Sequence, residues 1–221
     1  MSKAVCLLSG GLDSTVAAAW AKERYDLCVL HIGYGQRAQA RERAAAQAIA
    51  GALGADEFVA TDFTFLTTLG GSALTDPKIA IPKGTLSPPG EIPITQVPFR
   101  NGIFLSYAAA LAEARKADAV VIGAVEEDSS GYPDCRESFL SAFERALQEG
   151  TRPDVKIALH APLVHLRKSA IIKLGMKLGA PLYLNWSCYG PGPAPCGACE
   201  SCLLRARGFR EAAVPDPAPA L

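Results

Sequence analysis

The sequence predicts an α/β fold: a five-stranded parallel sheet with helices on both faces and a small zinc-binding appendage at its C-terminal end. Three observations predict it. Short apolar, β-rich runs alternate with helical runs through most of the chain. A glycine pair, in "SGGLDS", stands where the first apolar run meets the first helical one. Four of the seven cysteines gather near the C-terminal end.

The elements follow in order. "KAVCLLS" is a strand that runs into the glycines, and from Asp13 to Arg24 the chain is alanine-rich with helical spacing. "DLCVLHIGY" is the second strand. From Gln36 to Leu53 charges line one face and Ala, Ile and Leu the other, a strong helix closed by Gly54. "DEFVATDF" is the third strand. Residues 70–98, rich in Pro and Gly, break the rhythm and read either as a lid or binding loop or as a disordered insertion. Asn101 to Lys116 is a helix, apolar almost throughout and therefore expected to be buried. "ADAVVIGAV" is the fourth strand, and the polar loop "EEDSSGYPDCRES" follows it. "SFLSAFERALQEG" is a helix, "KIALHAPL" the fifth strand, and "RKSAIIKLGMKLG" a further helix. The segment from Asn185 to Arg210 carries the cysteines and ends in a short helix. Beyond it the chain reads as a frayed tail.

Composition narrows the function classes. The chain has 221 residues, 49% hydrophobic and 20% charged, enough for one domain with a sizeable core. Lys+Arg and Asp+Glu are 22 each, so no charge excess points to nucleic acid as the main partner. No apolar run approaches the roughly 18 residues of a membrane span, and the N-terminal run reads as a buried strand, not a signal peptide. A cytoplasmic protein is expected.

The glycine loop has a physical rationale. Backbone N–H groups between a strand and a helix form an anion nest, and the helix N-terminus adds unsatisfied donors. Gly10 and Gly11 clear side chains from a phosphate, while Ser9, Ser14 and Thr15 supply hydroxyls. Asp13 either caps the first helix or helps to hold Mg²⁺ beside the phosphates. The loop lacks the Gly-Lys-Ser/Thr ending of a Walker loop.

In "NWSCYGPGPAPCGACESC", Cys188, Cys196, Cys199 and Cys202 fill a tetrahedral shell of thiolates. Gly197 lets the backbone turn tightly. A single structural Zn²⁺ is the favoured occupant; a [4Fe–4S] cluster is the rival. Seven cysteines without a secretion signal argue against a disulfide scaffold.

Two further stretches carry polar groups to the sheet's C-terminal edge. In "VPFRN", Arg100 suits a phosphate or carboxylate, while Asn101 is either a helix N-cap or a ligand contact. In "EEDSSGYPDCRES", Glu126, Asp128, Tyr132, Asp134 and Arg136 form either a solvated loop or a recognition site for a guanine-like base. Such a base donates N–H groups to a carboxylate and stacks on an aromatic ring. Cys135 reads as a packed thiol in preference to a nucleophile. Lys168 either reaches anionic oxygen or lies on the surface. His31 and His165 read as ordinary.

"SGGLDS" resembles the loop of the PP-loop ATP pyrophosphatases, which cleave ATP between the α- and β-phosphates. Together with "YGQR", "VPFRN", "SGYPDCR", "SCY" and "CGACESCLLRARG", it resembles one family among them, the 7-cyano-7-deazaguanine (preQ0) synthases of queuosine biosynthesis. The motifs run in the family's order over nearly the whole chain; residues 70–97 carry least of the signal.

The resemblance implies a Rossmann-like fold of the adenine nucleotide alpha hydrolase type. It implies residues 1–185 as the ATP-binding and catalytic unit, 186–210 as the four-cysteine segment and 211–221 as a tail, in one compact domain overall. It implies ATP-dependent conversion of 7-carboxy-7-deazaguanine and ammonia to the nitrile through adenylated carboxylate, amide and adenylated amide. The implied ATP site is Leu8, Ser9, Gly10, Gly11, Leu12, Asp13, Ser14 and Thr15, with Mg²⁺ on the phosphates. Asp13, Arg100 and Lys168 are the implied catalytic residues. Gln36, Arg37, Asn101, Glu126, Asp128, Tyr132, Asp134 and Arg136 are the implied contacts to the base. A homodimer acting on small molecules, with no nucleic acid or membrane partner, is expected. The rival readings are a tRNA thiolase with an iron–sulfur cluster, a nucleotide-sensing module, and an enzyme that attaches the activated base to a macromolecule.

Overall fold

Five short runs of apolar residues pair in parallel because each is followed by a helix that returns the chain to the same end of the sheet. The computed structural model describes residues 2–88, 91–126 and 131–218. The strands are β1 (Lys3–Leu7), β2 (Asp26–Gly33), β3 (Glu57–Asp62), β4 (Ala119–Val121) and β5 (Ala158–His160), in the order β3-β2-β1-β4-β5. β1 lies at the centre, with Val5 opposite Cys28 on one side and Val120 on the other.

Alternation along the strands makes two cores. Ala4, Cys6, Leu27, Val29 and Val121 face α1 (Leu12–Lys22), α2 (Gln39–Ala52), α5 (Lys168–Lys177) and α6 (Glu200–Ala212). Val5, Leu7, Cys28, Leu30 and Val120 face α3 (Arg100–Arg115) and α4 (Glu137–Gly150). Each fully buried Leu or Ile, such as Leu30 or Ile171, contributes about 1.5–3 kcal/mol by leaving water. Helices therefore cover both faces, as a parallel sheet requires. Among the described residues no helix is long and apolar enough to cross a membrane.

The structure departs from expectation in four places. β4 and β5 are three residues each; past the last ladder bond, from Ile122 N–H to His160 O, the chain from Gly123 to Val125 turns into a cavity wall. α3 is not buried all round: Leu105, Ala108 and Ala112 pack on the sheet while Tyr107 is exposed. The Pro/Gly-rich stretch after β3 is tied down over most of its described length. Ala73 N–H donates to Ile94 O, and Gly84 N–H donates to Ala198 O in the cysteine segment, both at 2.8 Å. The tail starts later than 211, since α6 runs to Ala212 and the Arg205 guanidinium grips both oxygens of Asp216, at 2.6 and 2.7 Å.

Candidate active site

The strand order reverses direction at β1 and β4, and the crevice outside their C-terminal ends is where open α/β sheets bind ligands. A cavity of about 300 Å³ lies there, a volume within the range of small-molecule sites. The glycine loop forms one wall. Gly10 adopts φ +90°, and a Cβ there would stand 2.4 Å from the Glu42 carbonyl oxygen. Only glycine lets loop and helix approach so closely. Gly123, just past β4, plays the matching part, since its Cβ would come within 2.8 Å of Ser14 N. The hydroxyls brace the loop: Ser9 Oγ lies 3.0 Å from Ser14 Oγ, and Thr15 Oγ1 donates to Gly11 O at 2.7 Å.

Asp13 does not cap α1; Gly11 holds that position. Its carboxylate instead meets Lys168, the first residue of α5, with Nζ 2.6 Å from each oxygen. Lys168 is accordingly buried and not on the surface. The pair brings one cation and one anion to the cavity wall beside the loop.

Across the cavity stands Arg100. Phe99, just before it, adopts φ +53°, a conformation that costs an L-residue about 1–2 kcal/mol. The Phe99 ring lies over Gly102, where a Cβ would be 2.4 Å from it, and meets Phe139 edge-on at 5.6 Å. Arg100 Nη1 donates to the Tyr34 hydroxyl at 3.0 Å, and the guanidinium lies over the Tyr34 and Tyr132 rings. Asn101 is not the N-cap of α3. Its N–H donates at 2.8 Å to Asp134, whose carboxylate caps the helix from a distance, and its side-chain amide reaches Cys135 Sγ at 3.2 Å. Burial, with Asp134 beside it, pushes the Cys135 thiol up to about 11, which keeps it protonated and unreactive at neutral pH.

The structure brings Leu8, Ser9, Gly11, Leu12, Asp13, Ser14, Gln36, Arg100, Asn101, Tyr132 and Lys168 to one cavity. Other expected residues do other work. Arg37 turns away, and its Nη2 holds the carbonyls of Asp76 and Ile79 in the Pro/Gly-rich stretch. Asp134 is spent on α3. Glu126 accepts from the Glu137 N–H at the start of α4, and Arg136 is exposed. Asp128 lies outside the described residues. Several wall residues escaped the sequence reading. Tyr34 lay inside "YGQR" and Tyr189 inside "SCY", so motif proximity was a usable signal. Arg205 lay inside "CGACESCLLRARG", whereas Glu42 sits on a helix with nothing in its spacing to mark it.

The four cysteine sulfurs lie within 4.8 Å of one another, the spacing of a site for a single ion. The Cys196 and Gly190 N–H groups donate to Cys188 Sγ, each at 3.3 Å. Hydrogen bonds from the Cys199 and Cys202 thiols and from these N–H groups lower the Cys188 pKa. This donor set fits a thiolate-bound metal. The segment is also wired to the cavity: Trp186 N–H donates to Gly10 O at 2.8 Å, and Tyr189 is hydrogen-bonded to Tyr132.

A family model described as "Queuosine biosynthesis protein QueC" matches residues 3–213. The chain belongs to the QueC family. Its QueC relatives include the 7-cyano-7-deazaguanine synthase of a Nitratiruptor species, 50% identical over 98% of both chains. That of a Sulfurovum species is 49% identical over 97% of this chain and 96% of the relative. Among solved structures, the NMN synthetase of Francisella tularensis overlays with a TM-score of 0.47 at 19% identity, over 88% of this chain and 69% of that one. As a member of the QueC family the protein is an enzyme, and its PP-loop and a four-cysteine cluster able to hold a metal ion are built features of the fold.

Proposed function

We propose that this protein makes 7-cyano-7-deazaguanine from 7-carboxy-7-deazaguanine, ammonia and ATP, as a ligase that releases AMP and pyrophosphate. The observation that carries the reading is one cavity that joins the glycine loop to an aromatic wall bearing Arg100, in a chain about half identical along its length to synthases of that name. The first ATP activates the carboxylate: an oxygen attacks the α-phosphate, pyrophosphate leaves, and ammonia then displaces AMP to give the amide. The second ATP activates the amide oxygen, one N–H proton being lost as the adenylated imidate forms, and loss of AMP with the second N–H proton leaves the nitrile. Oxygen is a poor leaving group in both substrates and AMP a good one. The protein's part is positioning and charge neutralisation.

The residue roles follow from where each group stands. Ser9, Gly11 and Ser14 line the phosphate side, with N–H groups of the α1 N-terminus adding donors. Lys168, oriented by Asp13, and Arg100 are the cations for the charge that grows on the α-phosphate. Tyr34, Tyr132 and Arg100 supply the stacking surface for the deazaguanine, and Gln36 its polar edge. Mg²⁺ travels on the phosphates of ATP, since both oxygens of Asp13 are engaged by Lys168. Zinc is the metal for the four cysteines: sulfurs about 2.3 Å from one ion stand roughly 3.8 Å apart in a tetrahedron, closer to the observed spacing than four irons would allow. Its role is structural, and it would hold Trp186 and Tyr189 against the cavity. Residues 1–185 then act as the catalytic unit and 186–210 as the metal segment that completes its wall.

The test is pyrophosphate release from ATP, Mg²⁺ and ammonium with and without 7-carboxy-7-deazaguanine. Release that depends on the deazaguanine supports the reading. Release that ignores it, or none from folded and metal-loaded protein, removes the substrate assignment.

A further inference from the structure

The cavity holds a carboxylate to which the roles above assign nothing. Glu42, on α2, lines it. Gln36 Nε2 donates to its Oε2 at 2.7 Å, and among the described residues Oε1 has no donor. The helix that carries it is pressed against the glycine loop at Gly10, and the carboxylate, held by Gln36 and close enough to Arg100 to feel its charge, lies on the wall of the cavity that this loop shares. Asp13, the other carboxylate on this wall, is neutralised by Lys168. Glu42 has an amide for a partner and keeps a site for a proton. Burial raises its pKa above the ordinary carboxylate value, against the opposing pull of the Gln36 hydrogen bond and of Arg100. A carboxylate raised in this way accepts a proton more readily than an ordinary one.

The reaction proposed above needs such a group. At neutral pH ammonia exists mainly as ammonium, which has no lone pair with which to attack. We propose that Glu42 is the general base of amination, taking a proton from ammonium inside the cavity. The inference rests on the proposed reaction. In the step, one N–H bond of ammonium breaks and its proton passes to the Glu42 carboxylate. The freed lone pair forms the C–N bond at the acyl-adenylate carbon. The C–O bond to AMP breaks, and AMP leaves with that electron pair. A second proton passes from nitrogen to water as the adduct collapses, and Glu42 returns its own proton to water through the open cavity. The charged and titratable groups that line this cavity with Glu42 are Arg100 from α3, Tyr34 beyond β2, the Asp13–Lys168 pair, Tyr132 and Cys135 after β4, Tyr189 of the cysteine segment and Arg205 from α6.

Glu42→Gln separates this role from a structural one. The expected result is carboxylate-dependent exchange of labelled pyrophosphate into ATP at close to the unsubstituted rate. Amide formation from ammonium at neutral pH falls about 10²-fold, the usual share of a general base, and recovers as the pH is raised. Hydroxylamine is largely unprotonated at neutral pH and needs no such base, so the hydroxamate forms at near the unsubstituted rate. Glu42→Asp, which keeps the charge, gives an intermediate loss with ammonium and none with hydroxylamine. A hydroxamate rate that falls as far as the amide rate, or exchange that falls with it, overturns the proposal. Absence of exchange in the unsubstituted protein overturns the underlying reaction instead, and is told apart by that control.

Discussion

Lys168 Nζ lies 2.6 Å from both carboxylate oxygens of Asp13, although 155 residues separate the two in sequence. The contact joins the first turn of α1 to the first turn of α5 and fixes a cation beside the glycine loop. Removing one partner strands the other in a largely buried place. Losses of about 3–5 kcal/mol are typical when a fully buried pair is broken. Asp13 keeps some exposure, with 29% of its side chain open, so Lys168→Met is expected to cost about 2–3 kcal/mol and to depress turnover severely. Urea unfolding beside a turnover assay checks both; a variant with unchanged stability and rate would show that the pair does neither job.

Phe99 sets up a second prediction. Its φ of +53° strains any side chain, yet its ring packs on Gly102 and Phe139. Phe99→Ala keeps the strain and loses the ring, while Phe99→Gly loses both. The glycine variant is therefore expected to be the more stable of the two by about 1 kcal/mol. Both are expected to lower turnover, because Arg100 follows directly. Equal stabilities in urea would mean that the turn relaxes without help.

Asp134 gives a third. Its Oδ2 accepts the Asn101 N–H at the start of α3, so Asp134→Ala is expected to cost about 1–2 kcal/mol, as lost helix caps do. Asp134→Asn, which keeps an acceptor, restores most of it. A destabilised alanine variant whose KM for the deazaguanine rises only as far as Arg100 is displaced agrees with a positioning role. Full stability with a lost KM would instead put the carboxylate on the substrate.

The metal segment gives a fourth. Metal binding and folding are coupled in small thiolate sites. Cys199→Ser is expected to drop metal content from one ion per chain, to lower Tm, and to loosen the Trp186 contact at Gly10. Metal analysis with thermal melting decides it: a metal-free variant that melts and turns over normally would contradict a structural ion.

The buried His31 and the half-buried His160 shape the acid side of the stability curve. Burial lowers the pKa of His31 and of His160 below the usual 6.5. The unfolded chain then takes up protons that the folded one refuses, so stability is full above about 6.5 and is lost as the pH falls below it. The slope of unfolding free energy against pH in that window should shrink in His160→Gln. An unchanged slope would assign the acid sensitivity to other groups.

How much of this was legible in the sequence depends on how local each signal was. The sheet, the loop and the four cysteines were legible because glycine pairs, β-runs and C-x₂-C spacings act over a few residues. The fate of Asp13 was not, because its partner is set by how α5 packs on α1. Asp134 read as a recognition carboxylate because nothing in its own loop shows that α3 needs a cap. Arg37 shared a motif with Gln36, yet the two side chains diverge: one enters the cavity and the other pins the loop after β3. The expected tail held Asp216, whose partner Arg205 became visible only once α6 was in place.

The central claim is that one cavity turns a carboxylate into a nitrile at the expense of ATP. The mass of the organic product tests it most directly, after incubation of the metal-loaded protein with ATP, Mg²⁺, ammonium and 7-carboxy-7-deazaguanine. The expected product is 7-cyano-7-deazaguanine, with the amide as a transient species, and AMP and pyrophosphate beside it. Unchanged 7-carboxy-7-deazaguanine, in a preparation that still binds ATP, would contradict it.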